Sequence, residues 1–170
     1  MRKLKATPGQ AATDESGPRL HARTQSGCFV CGPNNPRGLQ LRFEGQGAGE
    51  TSATWIPVSA WEGFRGIIHG GLVSTVLDEA MSKAVAGMGI EALTADLRVR
   101  FRQPVTSGDA FIVRGWIVSR NKRMIRTEAV LAAGDGTEHT HAWATFLPLH
   151  AARPIASPVA APAEHPSAWP

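Results

Sequence analysis

Apolar positions recur every second residue near position 40, at helical spacing between positions 69 and 88, and every second residue again from position 97 onward. Leu39, Leu41 and Phe43 alternate with Gln40, Arg42 and Glu44, which predicts a strand. Gly45-Gln46-Gly47 predicts the turn, residues 50–56 the returning strand, and residues 57–68 a loop. Leu72, Val73, Val76, Leu77, Ala80, Met81, Ala84, Val85 and Met88 form one apolar stripe, so the spacing predicts a helix over about residues 69–88, ended by Gly87 and Gly89. Four strands follow. Leu97, Val99 and Phe101 oppose Arg98, Arg100 and Arg102 in the first. The others fall at about residues 109–119, 124–133 and 139–147, joined by Asn121-Lys122 and Gly134-Asp135-Gly136, with Pro148 as the stop. Two strands, one long buried helix and four strands are satisfied by a six-stranded antiparallel sheet wrapped around a single central helix, in the α+β class.

Composition trims this picture at the ends. Residues 1–20 are polar and aperiodic and are expected to be disordered; residues 151–170 are Ala- and Pro-rich and read as an extended tail. One domain, residues 21–150, remains. No apolar run approaches the ~20 residues of a membrane span, and no apolar stretch follows the basic Met1-Arg2-Lys3-Leu4-Lys5. A cytoplasmic location without membrane partners is expected. The formal charge of +4 favours an anionic partner, but Tyr is absent and the Phe residues are scattered, which argues against nucleic acid.

The candidate chemistry lies at the helix start, where His69-Gly70-Gly71 opens the apolar stripe and Asp78 follows nine residues after His69. A helix N-terminus offers unpaired N–H groups and a positive dipole end, which suit a developing oxyanion. Asp78 sits at the edge of the stripe beside Ser74 and Ser82; Glu79 lies near the opposite edge. An acid there either pairs with an arginine or has a chemical task. His69 reads first as a residue that shapes the turn, and the paired glycines as a tight backbone passage. Thr94 shares the parity of the arginine face, so pointing inward would require a bulge or an edge position. Arg98, Arg100, Arg102, Arg120, Lys122, Arg123 and Arg126 read as a solvated sheet face from which a subset can bind phosphate. Cys28 and Cys31 are two of the four ligands of a closed zinc site, followed by turn residues; they read as a pair ordering a turn, with no metal expected.

The strand order together with His69-Gly70-Gly71 and Asp78 resembles the hotdog-fold acyl-CoA thioesterases, among them the 4-hydroxybenzoyl-CoA and phenylacetate-pathway enzymes, over roughly residues 25–148. The run from Cys28 to Leu39, with Cys-Phe-Val-Cys-Gly-Pro at its head, is similar to the N-terminal signature of one bacterial branch. The resemblance implies hydrolysis of an acyl-CoA to free acid and CoA. Asp78 would be nucleophile or general base and the Gly70 N–H the donor polarising the carbonyl, with His69 and Thr94 in the catalytic set. Gly71, Ser82, Arg100, Arg102, Arg120 and Arg123 would contact the substrate. No cofactor is implied beyond the CoA of the substrate. The site would be shared between subunits of a homodimer or a dimer of dimers. Many members carry Asn or Gln six residues before the His; Gly63 stands there, with Glu62 beside it. A non-catalytic acyl-CoA-binding or regulatory module and a hydratase or dehydratase on the same fold stay open as alternatives.

Overall fold

In the computed structural model, which describes residues 27–149 apart from Ala48, the helical stripe is buried as one surface. Val76, Leu77, Ala80 and Met81 have no exposed area, and Val73, Ala84 and Val85 almost none. Helix α1 spans Gly70–Ala86, with His69 as its N-cap and Gly87 as its C-cap. Before it come β1 (Glu44–Gly47), β2 (Glu50–Trp55), a single 3-10 turn (Ser59–Trp61), β3 (Glu62–Phe64) and β4 (Ile67–Ile68). After it come β5 (Ala92–Phe101), β6 (Phe111–Arg120), β7 (Ile125–Ala133) and β8 (Glu138–Pro148). Six strands form one antiparallel sheet in the order β1-β2-β6-β7-β8-β5, with β3 and β4 as a separate small hairpin. This is the expected sheet around one helix: a hotdog fold. The expectations for the two chain ends lie outside the described residues.

The core lies between α1 and one face of the sheet. Trp55, Phe111, Val113, Ile125, Ala129, Leu131, Ala142 and Phe146 all face the helix and are buried. Period-two alternation delivers them, since every second residue of a strand shares a face. The closest approach is at Gly115 of β6. A Cβ there would lie 2.6 Å from the Ala80 carbonyl carbon and 2.7 Å from its oxygen, so only glycine lets the helix backbone come this near the strand.

Three local expectations are corrected. Leu39 and Leu41 do bury while Gln40 and Arg42 are exposed, but they form no strand. Gln40 is left-handed at φ 52°, and the N–H groups of Leu39 and Leu41 donate to the carbonyls of Phe29 and Val30, each at 2.8 Å. The Gly45-Gln46-Gly47 run is strand β1 and not a turn; the reversal falls two residues later, at Gly49 with φ 81°. The loop expected over residues 57–68 contains the 3-10 turn and the β3–β4 hairpin.

Strand β5 is the anomaly of the sheet. It is an edge, and most of its ten residues are exposed on both faces, Leu93, Leu97 and Phe101 among them. A long, unpaired edge with one exposed apolar face is a surface that soluble proteins cover or pair.

Candidate active site

The helix start can be accounted for donor by donor. The His69 N–H donates to the Trp61 carbonyl at 2.9 Å, and Leu72 and Val73 donate to the His69 carbonyl at 2.9 and 3.3 Å. The Gly71 N–H donates to the His69 Nδ1 at 3.0 Å, so the imidazole caps the helix. The Gly70 N–H is the remaining one, with no acceptor among the described residues. Gly70 lines an apolar cleft of ≈ 400 Å³ with Phe64, Ile67, Val73, Phe101 and Arg102.

Asp78 lies two turns along α1, half-buried, and faces β5. The Thr94 hydroxyl donates to Asp78 Oδ1 at 2.9 Å. Strict alternation would have turned Thr94 outward with the arginines. The register slips between Thr94 and Asp96, which pair with Phe146 and Thr145, so Ala95 is the extra residue of a bulge. Thr94 therefore shares the helix-facing side with Leu97, Val99 and Phe101, while Asp96, Arg98 and Arg100 face away. Burial holds the Asp78 carboxyl above the ordinary aspartate range; the Thr94 hydrogen bond draws it down, and the charge of neighbouring Glu79 adds a further upward push.

Ser82, one turn beyond Asp78, is half-buried, and its hydroxyl makes no hydrogen bond among the described residues. The four arginines fall into two groups. Arg102 lines the Gly70 cleft and pairs through Nε with Glu138 at 2.7 Å; Arg100 lies opposite His141 on the outer face nearby. Arg120 lines a second cleft with Ile90, Asn121 and Pro148, at the C-terminal end of α1, and Arg123 sits in the adjoining turn. One protomer does not bring the two groups together.

Gly63 also has a geometric reason. A Cβ there would meet His69 Cα and Cδ2 at 3.3 Å, so any side chain would crowd the capping imidazole. Glu62 does not fill the gap. Its carboxylate accepts from the Ser107 hydroxyl at 2.6 Å, and with a backbone hydrogen bond from Gly66 this holds it below the usual carboxylate range. Sequence reasoning missed Phe64 and Ile67 as cleft residues because the β3–β4 hairpin that carries them is too short to show periodicity. It also missed that Glu79 and the buried Lys83 meet Cys28 and Cys31. No local signal links positions 51 residues apart.

Comparison with known proteins agrees with this fold. The sequence model of the thioesterase superfamily matches residues 65–139, the stretch that runs from the β3–β4 hairpin through α1 into β8. No curated protein sequence matches the chain. Among solved structures, a thioesterase superfamily protein is 25% identical with a TM-score of 0.68, over 72% of this chain and 60% of that one; the chain thus spans about three fifths of that protein's length. The PaaI protein of the phenylacetic acid degradation operon of E. coli is 14% identical with a TM-score of 0.63, over 66% of this chain and 81% of that one. A hypothetical thioesterase of Streptococcus pneumoniae TIGR4, solved with coenzyme A, is 17% identical with a TM-score of 0.61, over 64% of this chain and 85% of that one. That streptococcal protein has also been solved with an aspartate and, separately, a threonine replaced by alanine, at positions sixteen apart in its sequence. No helix among the described residues is long and apolar enough to cross a membrane.

Proposed function

We propose that the chain is an acyl-CoA thioester hydrolase in which Asp78 attacks the thioester carbon or activates water, and the Gly70 N–H receives the developing oxyanion. The observation that carries this is the hydrogen bond from Thr94 to a half-buried Asp78. A carboxylate that burial makes more basic, held in place by one hydroxyl, suits a base or nucleophile near neutral pH. The residues lie sixteen apart, the separation of the aspartate and threonine replaced in the streptococcal thioesterase.

The two catalytic groups do not serve one substrate within one chain. Asp78 lies eight helical steps after Gly70, about 12 Å along the axis. An attacking atom must stand about 3–3.5 Å from the carbon whose oxygen the donor holds. The site is therefore assembled from Gly70 of one protomer and Asp78 of another, and the uncovered edge β5 is the surface that brings them together. We assign phosphate contacts of CoA to Arg102, with Arg100 beside it. Arg120 and Arg123, at the other end of α1, contribute only if a second protomer presents them. No resident cofactor is required, and the activity is assigned to the cytoplasm.

A panel of acyl-CoA substrates, followed by release of free thiol, tests the reading; saturable hydrolysis of any member supports it. The specific observation favouring the alternative, an acyl-CoA-binding module, is that Gly63 carries no side-chain amide and the carboxylate of Glu62 beside it is held by Ser107. Tight acyl-CoA binding without turnover across the panel would establish that reading instead.

A further inference from the structure

The side of α1 turned away from Thr94 carries a second cluster. The Cys28-Phe29-Val30-Cys31-Gly32 turn, closed by the Gly32 N–H on the Cys28 carbonyl at 3.0 Å, packs on Glu79. Cys28 Sγ stands 3.7 Å from Glu79 Oε2, and the donor atoms of Cys28, Cys31 and Glu79 all lie within 4.8 Å of one another. Cys31 is buried, and the Glu79 side chain is 14% exposed. Beneath them Lys83, 2% exposed, brings Nζ to 3.4 Å from Glu79 Oε1 and is hydrogen-bonded to Cys31.

We propose that Cys28, Cys31 and Glu79 form a zinc site, with water as the fourth ligand, that clasps the N-terminal segment to α1. Tetrahedral zinc with Zn–S of about 2.3 Å and Zn–O of about 2.1 Å places sulfur and oxygen ligands about 3.6 Å apart and two sulfurs about 3.8 Å apart. The Cys28–Glu79 separation already has that value, and the remaining donors need to close by no more than about 1 Å. Two thiolates and a carboxylate select a borderline-soft ion over magnesium or calcium.

Charge explains the buried lysine. Without metal, two thiols, Glu79 carboxylate and Lys83 ammonium sum to zero. With zinc, two thiolates and the carboxylate carry three negative charges, the ion two positive and Lys83 one positive, again zero. Binding exchanges two protons for one divalent ion without leaving net charge in the interior. In sequence only the two cysteines stand together; the third ligand arrives from α1 when the chain folds.

The proposal is independent of the hydrolase reading. Its test uses the full chain, reduced with a phosphine, stripped by a chelator and titrated with zinc chloride. Expected after gel filtration are about one zinc per chain, about two protons released per ion at pH 7, and a higher Tm. Cobalt in place of zinc should show a thiolate charge-transfer band, an assay on the unaltered chain that does not depend on a variant folding. Cys28→Ser, at the more exposed position, should weaken zinc binding more than about 100-fold. Less than about 0.1 zinc per fully reduced chain, or full binding retained in Cys28→Ser, overturns the proposal.

Discussion

Thr94 reaches Asp78 because β5 carries one residue too many. The 2.9 Å hydrogen bond exists only where Ala95 bulges and turns Thr94 toward the helix. Asp78→Asn keeps the size of the side chain but can neither attack nor take a proton from water. It should lower kcat by about 100-fold or more while leaving CoA binding unchanged. Thr94→Val removes a hydrogen bond to a charged group, worth about 1.5–3 kcal/mol, so kcat should fall by about 10–100-fold. Thr94→Ser, which keeps the donor, should recover most of that loss. Steady-state kinetics and isothermal titration with CoA check both. Full activity in Thr94→Val beside a loss in Thr94→Ser would mean the methyl packing matters and the hydrogen bond does not.

Gly115 predicts a stability effect without a catalytic one. Gly115→Ala would place Cβ 2.6 Å from backbone atoms of α1, which cannot move aside as a side chain tip can. Overpacking of this kind costs about 1–3 kcal/mol, a Tm loss of about 5 °C or more. Gly134→Ala, where nothing lies within 4 Å, should leave Tm nearly unchanged. Comparable Tm values for the two variants would refute the close helix–strand approach.

The legible parts of this fold are those governed by short-range period. The stripe from Leu72 to Met88 faces inward almost residue for residue, because a helix repeats its faces within the window that the eye can scan. Alternation at Leu39 and Leu41 also foretold burial correctly, yet not the backbone: the left-handed Gln40 and carbonyl partners on Phe29 and Val30 belong to a loop pairing that period two does not encode. Parity placed Thr94 outward unless a bulge intervened, and the bulge is there; nothing local announces Ala95 as the extra residue. The Gly70 donor was readable because it is a property of any helix start. The meeting of Cys28 with Glu79 was not, since it is made by the fold and not by neighbours in sequence.

Glu62 supplies a pH-dependent contact in the segment preceding the helix. Its hydrogen bonds to Ser107 and Gly66 hold its folded pKa below the ordinary value of 4.5. A carboxyl depressed on folding binds more protons when unfolded, so its contribution is present above the unfolded pKa and is lost as pH falls through the folded one. Glu62→Gln should therefore have a lower Tm than the parent chain at pH 7, with the difference vanishing below the folded pKa. A difference that persisted unchanged at pH 2 would assign the effect to packing and not to the charge.

The proposed division of the site between protomers makes a quantitative prediction. Gly70 is the first helical residue, a position that tolerates proline, and His69 before it has the extended ψ of 126° that a following proline requires. Gly70→Pro thus deletes the proposed oxyanion donor, and kcat should fall by about 100–1,000-fold. Gly70→Ala keeps the N–H, meets only the Phe101 ring at 3.3 Å, and should stay within about tenfold of the parent chain. Gly70→Pro and Asp78→Asn chains, each nearly inactive alone, are then unfolded and refolded together in equal amounts. Half the resulting dimers are mixed, and each mixed dimer holds one intact site out of two, formed by the Gly70 of the Asp78→Asn chain and the Asp78 of the Gly70→Pro chain. About a quarter of the parent activity should return. A site confined to one chain would return none, because every chain in the mixture lacks one of the two groups. Light scattering of the mixture should show dimers or a larger assembly; a species of one chain's mass, 18.1 kDa, would remove the basis for sharing altogether.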